Sequence, residues 1–148
     1  MNLQKDLREF IELLNSKRVE YVIVGAHALA FHGHPRYTGD LDVFVRVSPE
    51  NAQKIVDTIA SFGFTDLEIS EHDFLVDDNV IQLGVPPNRI DLLMSLTGIS
   101  FEEVWKNRVR TEFGNVPVPV ISRNHLIVNK RAVGRPQDLA DIARLTEK

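Results

Sequence analysis

The chain has 148 residues, 43% of them apolar and 26% charged, with a formal net charge of −4 and no cysteine. That length predicts a single domain over residues 1–148 with an ordinary core. The missing cysteine excludes disulfides, thiolate metal sites and cysteine nucleophiles, and no apolar run approaches the roughly 20 residues a membrane span needs.

Leu3, Leu7, Phe10, Ile11, Leu13 and Leu14 recur at three- and four-residue spacing, predicting an amphipathic helix over 3–15. Tyr21–Val24 is a short β-rich run stopped by Gly25, and reads as a buried strand. Ala26–Phe31 suits a short helix, ended by His32-Gly33-His34-Pro35. Leu41–Val47 alternates and is β-branched, hence a second strand. Ser48-Pro49-Glu50 then supplies a cap, a first-turn proline and an acid for a helix over about 49–62 that closes at Gly63.

Residues 73–83 predict one or two strands around a turn at Asp77-Asp78-Asn79, and Arg89–Met94 another strand. Ser100–Asn107 reads as a helix with a Ser100/Glu103 capping box. Val109–Phe113 and Val116–Ile121 flank Gly114-Asn115 as a hairpin. Ser122 caps a helix to about Ala132, and a final helix begins near Pro136. The order of elements predicts an α/β or α+β fold, a mixed sheet with helices packed on it. A cytoplasmic setting is expected, because the polar-amphipathic N-terminus is neither a signal peptide nor an anchor.

Charge is unevenly placed. Between Phe64 and Asp91 seven acids face Arg89 alone, whereas from Trp105 to Arg135 seven bases face only Glu112. Such a basic stretch suits phosphates or nucleic acid, and equally an ordinary solvated face.

The chemistry concentrates in Val22–Ala26 and Asp40-Leu41-Asp42-Val43. Gly25 stands where a strand turns into a helix, a place where backbone can approach a phosphate. Asp40 and Asp42, two apart in a strand, point to one side. Their charges repel by roughly 1 to 4 kcal/mol, depending on the local dielectric. A hard divalent cation such as Mg²⁺ or Mn²⁺, taking carboxylate and phosphate oxygens, would relieve that repulsion. Asp91 is a carboxylate in the otherwise apolar strand Arg89–Met94, expensive to bury unpaired. On the same sheet it would join the first two in a two-metal site for phosphoryl chemistry. Alone, an Asp-x-Asp pair also serves to cap strand ends; the glycine turn before it and the strand carboxylate after it favour the metal.

The pattern apolar-Gly25-Ala26, a gap, then Asp40-Leu-Asp42-Val resembles the signature of the polymerase-β nucleotidyltransferase superfamily. More narrowly, Val24–Val45, with His32-Gly33, Arg36, Thr38 and the aspartate pair, resembles bacterial nucleotidyltransferase-like proteins related to AbiEii-type toxins of toxin–antitoxin systems. The tail from Asn129-Lys130 to Asp141 is similar to the C-terminal part of the same proteins. The resemblance implies a nucleotidyltransferase-type mixed sheet followed by C-terminal helices. It implies that Asp40 and Asp42 bind both metals or the metal-bound triphosphate. Asp91 would ligate the catalytic metal and help deprotonate an acceptor hydroxyl, while Gly25 and Ala26 present N–H groups to the β- and γ-phosphates. The superfamily turn usually carries Gly-Ser or Gly-Gly, and Ala26 offers no hydroxyl.

Arg36 and Thr38 precede the aspartate pair and are candidates for a phosphate clamp and a phosphate donor, with an exposed loop arginine as the plain alternative. Lys130 is a further phosphate candidate, although helical lysines are more often solvated. Asp138 reads as a helix-dipole acid, and Asp141 as a structural partner of Arg135 or Lys130. His27 and His32, five apart, are poorly spaced for shared zinc; His32 or His34 lining a nucleotide pocket is the more reasonable role. Phe101 and Trp105 read as core.

The expected activity is transfer of a nucleotidyl group from a nucleoside triphosphate to a hydroxyl of RNA, protein or a small molecule, with pyrophosphate released. The short chain leaves a homodimer or partner protein to complete the site. The alternatives are a non-catalytic nucleotide-binding module of a two-component complex, which Ala26 favours, and a metal-dependent phosphohydrolase.

Overall fold

The computed structural model describes residues 5–34, 39–63, 68–84 and 89–147. The first helix, α1 (Lys5–Ser16), buries Leu7, Phe10, Ile11 and Leu14, the stripe its spacing predicts. It leads to β1 (Tyr21–Val24), buried at all four positions, and directly into α2 (Gly25–Phe31). The second strand, β2, covers Asp40–Val45 rather than 41–47. Beyond Val45 the ladder gives way to side-chain bonding, because Asn51 Nδ2 donates to the Arg46 carbonyl at 2.9 Å.

Helix α3 (Pro49–Phe62) has the predicted Ser48 cap, first-turn proline and left-handed Gly63 stop. It packs on α1, where the Phe10 and Phe62 rings meet edge to face at 5.3 Å. A 3₁₀ turn at Glu71–Phe74 and the single strand β3 (Val80–Leu83) occupy the region in which one or two strands were expected. The turn forms because Ser70 and Asp73 close a capping box and Phe74 anchors fully in the core. Then follow β4 (Arg89–Leu93), α4 (Phe101–Lys106), the hairpin of β5 (Val109–Phe113) and β6 (Val116–Val120), α5 (Arg123–Val133) and α6 (Pro136–Leu145).

Among the described residues the strands form one six-stranded mixed sheet in the order β3-β4-β2-β1-β6-β5. β2 is antiparallel to β1 and parallel to β4, and β1 is parallel to β6. Alternation along β2 sends Leu41, Val43 and Val45 into the core and Asp40 and Asp42 to the other face. Phe44, on the aspartate face, is buried beneath Phe101 of α4, with ring centroids 5.1 Å apart. No described helix is long and apolar enough to cross a membrane.

Candidate active site

Three neighbouring strands build the site. In the β2–β4 ladder Asp42 lies opposite Asp91 and Asp40 opposite Arg89. In the β1–β2 ladder Asp42 lies opposite Val24, so Gly25, the next residue, begins α2 beside it. Register partners share a sheet face, and Asp40, Asp42, Arg89 and Asp91 therefore all project to one side.

Gly25 has φ +71°. A β-carbon built there would lie 2.1 Å from Oδ2 of Asp42. Glycine is required here by both backbone angle and space. The turn brings the first peptide groups of α2 against the Asp42 carboxylate, and no side chain caps that helix start.

Arg89 ties the carboxylates together. Its Nε donates to Asp91 Oδ1 at 2.9 Å, and its Nη2 to Asp91 Oδ2 at 3.2 Å and Asp40 Oδ2 at 3.0 Å. The Asp91 side chain is only 11% exposed, so this bidentate pairing is what makes its burial tolerable. Sequence reading took Arg89 only as the lone base of an acidic stretch. The available signal was its position two residues before Asp91, which puts both on one side of the strand.

Among the described residues Asp42 makes no ion pair of its own. Burial, then the like charges of Asp91 and Asp40, push its carboxyl up to about 7, against the opposing pull of Arg89. Among the described residues, Asp40, Asp42 and Asp91 share this face with the single guanidinium of Arg89.

An open pocket of ≈ 380 Å³ adjoins Gly25 and Asp42. Its other wall comes from α5 and the start of α6, including Asn129, Lys130, Arg135 and Asp138. Lys130 is buried and not solvated: its Nζ donates to Asp141 Oδ2 at 2.9 Å and lies 3.7 Å from Asp138 Oδ1. Asp138 does more than favour the helix dipole. It accepts from Arg135 Nε at 2.7 Å and from the Arg135 backbone N–H at 3.2 Å, and the Arg135 bonds hold its carboxyl below the usual range. Asp141 pairs with Lys130 in the structural role expected of it.

His32 bonds the Ile121 carbonyl at 2.8 Å and so ties α2 to the end of β6, rather than lining the pocket. His27 is buried with neither ring nitrogen hydrogen-bonded, and burial lowers its basicity while Asp40 opposes the shift. Among the described residues no three acidic or histidine side chains converge closely enough to enclose an ion on their own. Arg36 and Thr38 lie outside the described residues.

A mixed sheet that sets aspartates beside a glycine strand-to-helix turn defines a protein of the nucleotidyltransferase class. The chain belongs to the family described as "Nucleotidyltransferase of unknown function (DUF6036)", whose model matches residues 2–146. The fold is shared with a candidate nucleotidyltransferase (TM1012) from Thermotoga maritima, at TM-score 0.64 and 16% identity, covering 93% of this chain and 88% of that one. It is shared too with the lincosamide antibiotic adenylyltransferase LnuA in its lincomycin-bound form, at TM-score 0.58 and 13% identity, over 99% and 98% of the two chains. An antigenic nucleotidyltransferase-like protein from Paracoccidioides brasiliensis aligns at TM-score 0.55 and 18% identity, over 98% of this chain and 78% of its own. No curated protein matches the sequence.

Proposed function

We propose that the protein transfers a nucleoside monophosphate from a nucleoside triphosphate to an acceptor hydroxyl, using Asp40, Asp42 and Asp91 together with a divalent metal. The observation that carries this reading is the direct opposition of Asp42 and Asp91 in the β2–β4 ladder, beside a glycine turn that admits no side chain. The residues fit Mg²⁺ or Mn²⁺ in the sense that matters for such sites. Mg²⁺ is usually held by one or two carboxylates plus substrate phosphate and water, without a closed protein cage. The excess negative charge felt by Asp42 is what a cation would offset. When bound, the metal supplies charge neutralisation at the phosphates and lowers the pKa of a coordinated hydroxyl.

The protein's own groups have separable tasks. Asp42 and Asp91 hold the cation, with Asp40 at the rim of the same face. Arg89 fixes the orientation of Asp91 and Asp40 before substrate arrives. Asp91 accepts the proton of the acceptor hydroxyl as its oxygen bonds to the α-phosphorus. The bond to the β-phosphate oxygen breaks, and pyrophosphate leaves. The backbone N–H groups of Gly25 and Ala26 meet the departing phosphates, and Lys130, held by Asp141, lines the facing wall. Arg36 and Thr38 keep the phosphate-binding roles that the resemblance implies. The narrower likeness to AbiEii-type toxins, with an RNA or protein acceptor, rests on segments 24–45 and 129–141.

The test is calorimetric titration of each nucleoside triphosphate with Mg²⁺ or Mn²⁺ into wild type and Asp42→Asn. Metal-dependent binding lost in the variant is expected. A folded wild type that binds no triphosphate overturns the reading. Released pyrophosphate identifies nucleotidyl transfer, whereas orthophosphate identifies hydrolysis and overturns it. Ala26, which brings no hydroxyl to the turn, supports a second reading, a non-catalytic nucleotide-binding module. Binding without turnover across an acceptor panel of RNA, protein and small alcohols would select it.

A further inference from the structure

A second pocket, of ≈ 230 Å³, lies where β1 begins. Tyr21 borders it, three residues and about 10 Å along the strand from Val24, the register partner of Asp42. Arg18, Arg108 and Arg110 are among its lining residues, and none of the lining residues is acidic. Among the described residues none of these three arginines has a carboxylate within ion-pair distance. Glu20, the acid whose field reaches Arg108, is already engaged by Arg46.

The cations are held in place by other means. The Arg108 guanidinium sits over the indole of Trp105, its Cζ 3.6 Å from the ring centroid, and its Nη1 donates to the Trp105 carbonyl at 2.6 Å. Trp105 in turn stacks on Phe101, with centroids 5.7 Å apart and planes 24° from parallel. Arg46 covers Phe101 from 4.8 Å and bonds Glu102 at 2.7 Å. The guanidinium of Arg108 is thereby oriented before any ligand arrives, with donors to spare in its fork. Arg18 sits at φ +59°, a left-handed turn after α1 that a residue other than glycine seldom adopts, and Lys54 bonds its carbonyl at 3.4 Å. Burial, and then Arg110, disfavour the charge on Arg108, against the weaker pull of Glu20. Like charges beside an apolar floor that includes Pro119, with no acid in the lining, are poised for an anion.

We propose that this pocket is a phosphate-binding site, separate from the carboxylate site and independent of the nucleotidyl-transfer reading. Bidentate guanidinium geometry suits the oxygens of a phosphate, and the indole is already engaged by Arg108 and Phe101. The phosphate has two possible sources, a monoester on a small molecule or the backbone of a single-stranded nucleic acid.

The chain has one tryptophan, and it lies in this pocket. Its fluorescence therefore reports the site directly. Inorganic phosphate is titrated into the metal-free full-length protein at constant ionic strength, with chloride as the control anion. We expect a saturable change absent with chloride, unaltered in Asp42→Asn and weakened tenfold or more in Arg18→Gln/Arg110→Gln. Both replaced residues are exposed and make no ion pair among the described residues, so the fold survives their loss, which circular dichroism checks. A linear response shared with chloride overturns the proposal, as does unchanged phosphate affinity in the double variant. A sugar phosphate and an octaribonucleotide without terminal phosphate then separate the sources. Whichever of the two saturates the signal more tightly than inorganic phosphate carries the ligand, and if neither binds the proposal fails.

Discussion

Replacing Asp42 by asparagine should stabilise the metal-free protein while destroying the site. In the fold this carboxyl titrates near 7, against 3.8 for the unperturbed group, because it is buried and faces Asp91 and Asp40. A folded pKa above the unfolded one means that the folded state binds the extra proton between about pH 4 and 7. Stability therefore falls as pH rises through that window, and above it the full cost of ionising Asp42 is present. At 1.36 kcal/mol per unit the displacement corresponds to about 4 kcal/mol at most, and relaxation around the carboxylate will bring it nearer to about 2. Asparagine imitates the neutral acid at every pH. In urea denaturation with a chelator present, wild type and Asp42→Asn should be close at pH 4.5. The variant should become the more stable by about 2–4 kcal/mol at pH 8. Other titrating groups are common to both proteins and cancel in the difference. Added Mg²⁺ and nucleoside triphosphate should narrow the gap by stabilising wild type alone. A difference that does not change with pH would refute the assignment of the excess charge to Asp42.

Gly25→Ala forces a methyl into the Asp42 carboxylate at a positive φ; thermal melts should show a loss of about 1–3 kcal/mol, and calorimetry no triphosphate binding. Arg89→Gln removes the cation that orients Asp91 and Asp40 and restrains the upward shift of Asp42. The acid limb of its pH–rate profile should move to higher pH, and kcat should fall more than nucleotide affinity. Lys130→Met leaves Asp141 buried without its nearest cation and should cost about 3–5 kcal/mol by urea denaturation. Lys130→Met/Asp141→Leu should recover most of that loss, and no recovery would mean that the pair does not act as a unit.

The helix ends were the most legible part of the chain, because their signals are local. Ser48-Pro49 with Gly63, and Ser100 with Glu103, fix α3 and α4 within a residue. The shared direction of Asp40 and Asp42 also follows from strand geometry alone. What could not be read was which strand lies beside β2. Two parallel neighbours joined through β3 leave no local trace, so the pairing of Asp42 with Asp91 required the three-dimensional ladder. The pairing of Arg89 with Asp91 was open to strand geometry, whereas its bond to Asp40, 49 positions away in the chain, was not. The burial of Lys130 against Asp141 was not legible either, because helical periodicity does not say that α6 folds back over it.

The two walls of the pocket beside Asp42 have different construction. Val24, Gly25 and Asp42 stand on or beside backbone ladders at the centre of the sheet, where any shift disturbs several strands at once. Lys130, Arg135 and Asp138 belong to a pair of terminal helices joined to one another by side-chain charges. Substitutions along 123–145 can therefore reshape what the cleft admits while the sheet wall, with Gly25 and Asp42, stays put.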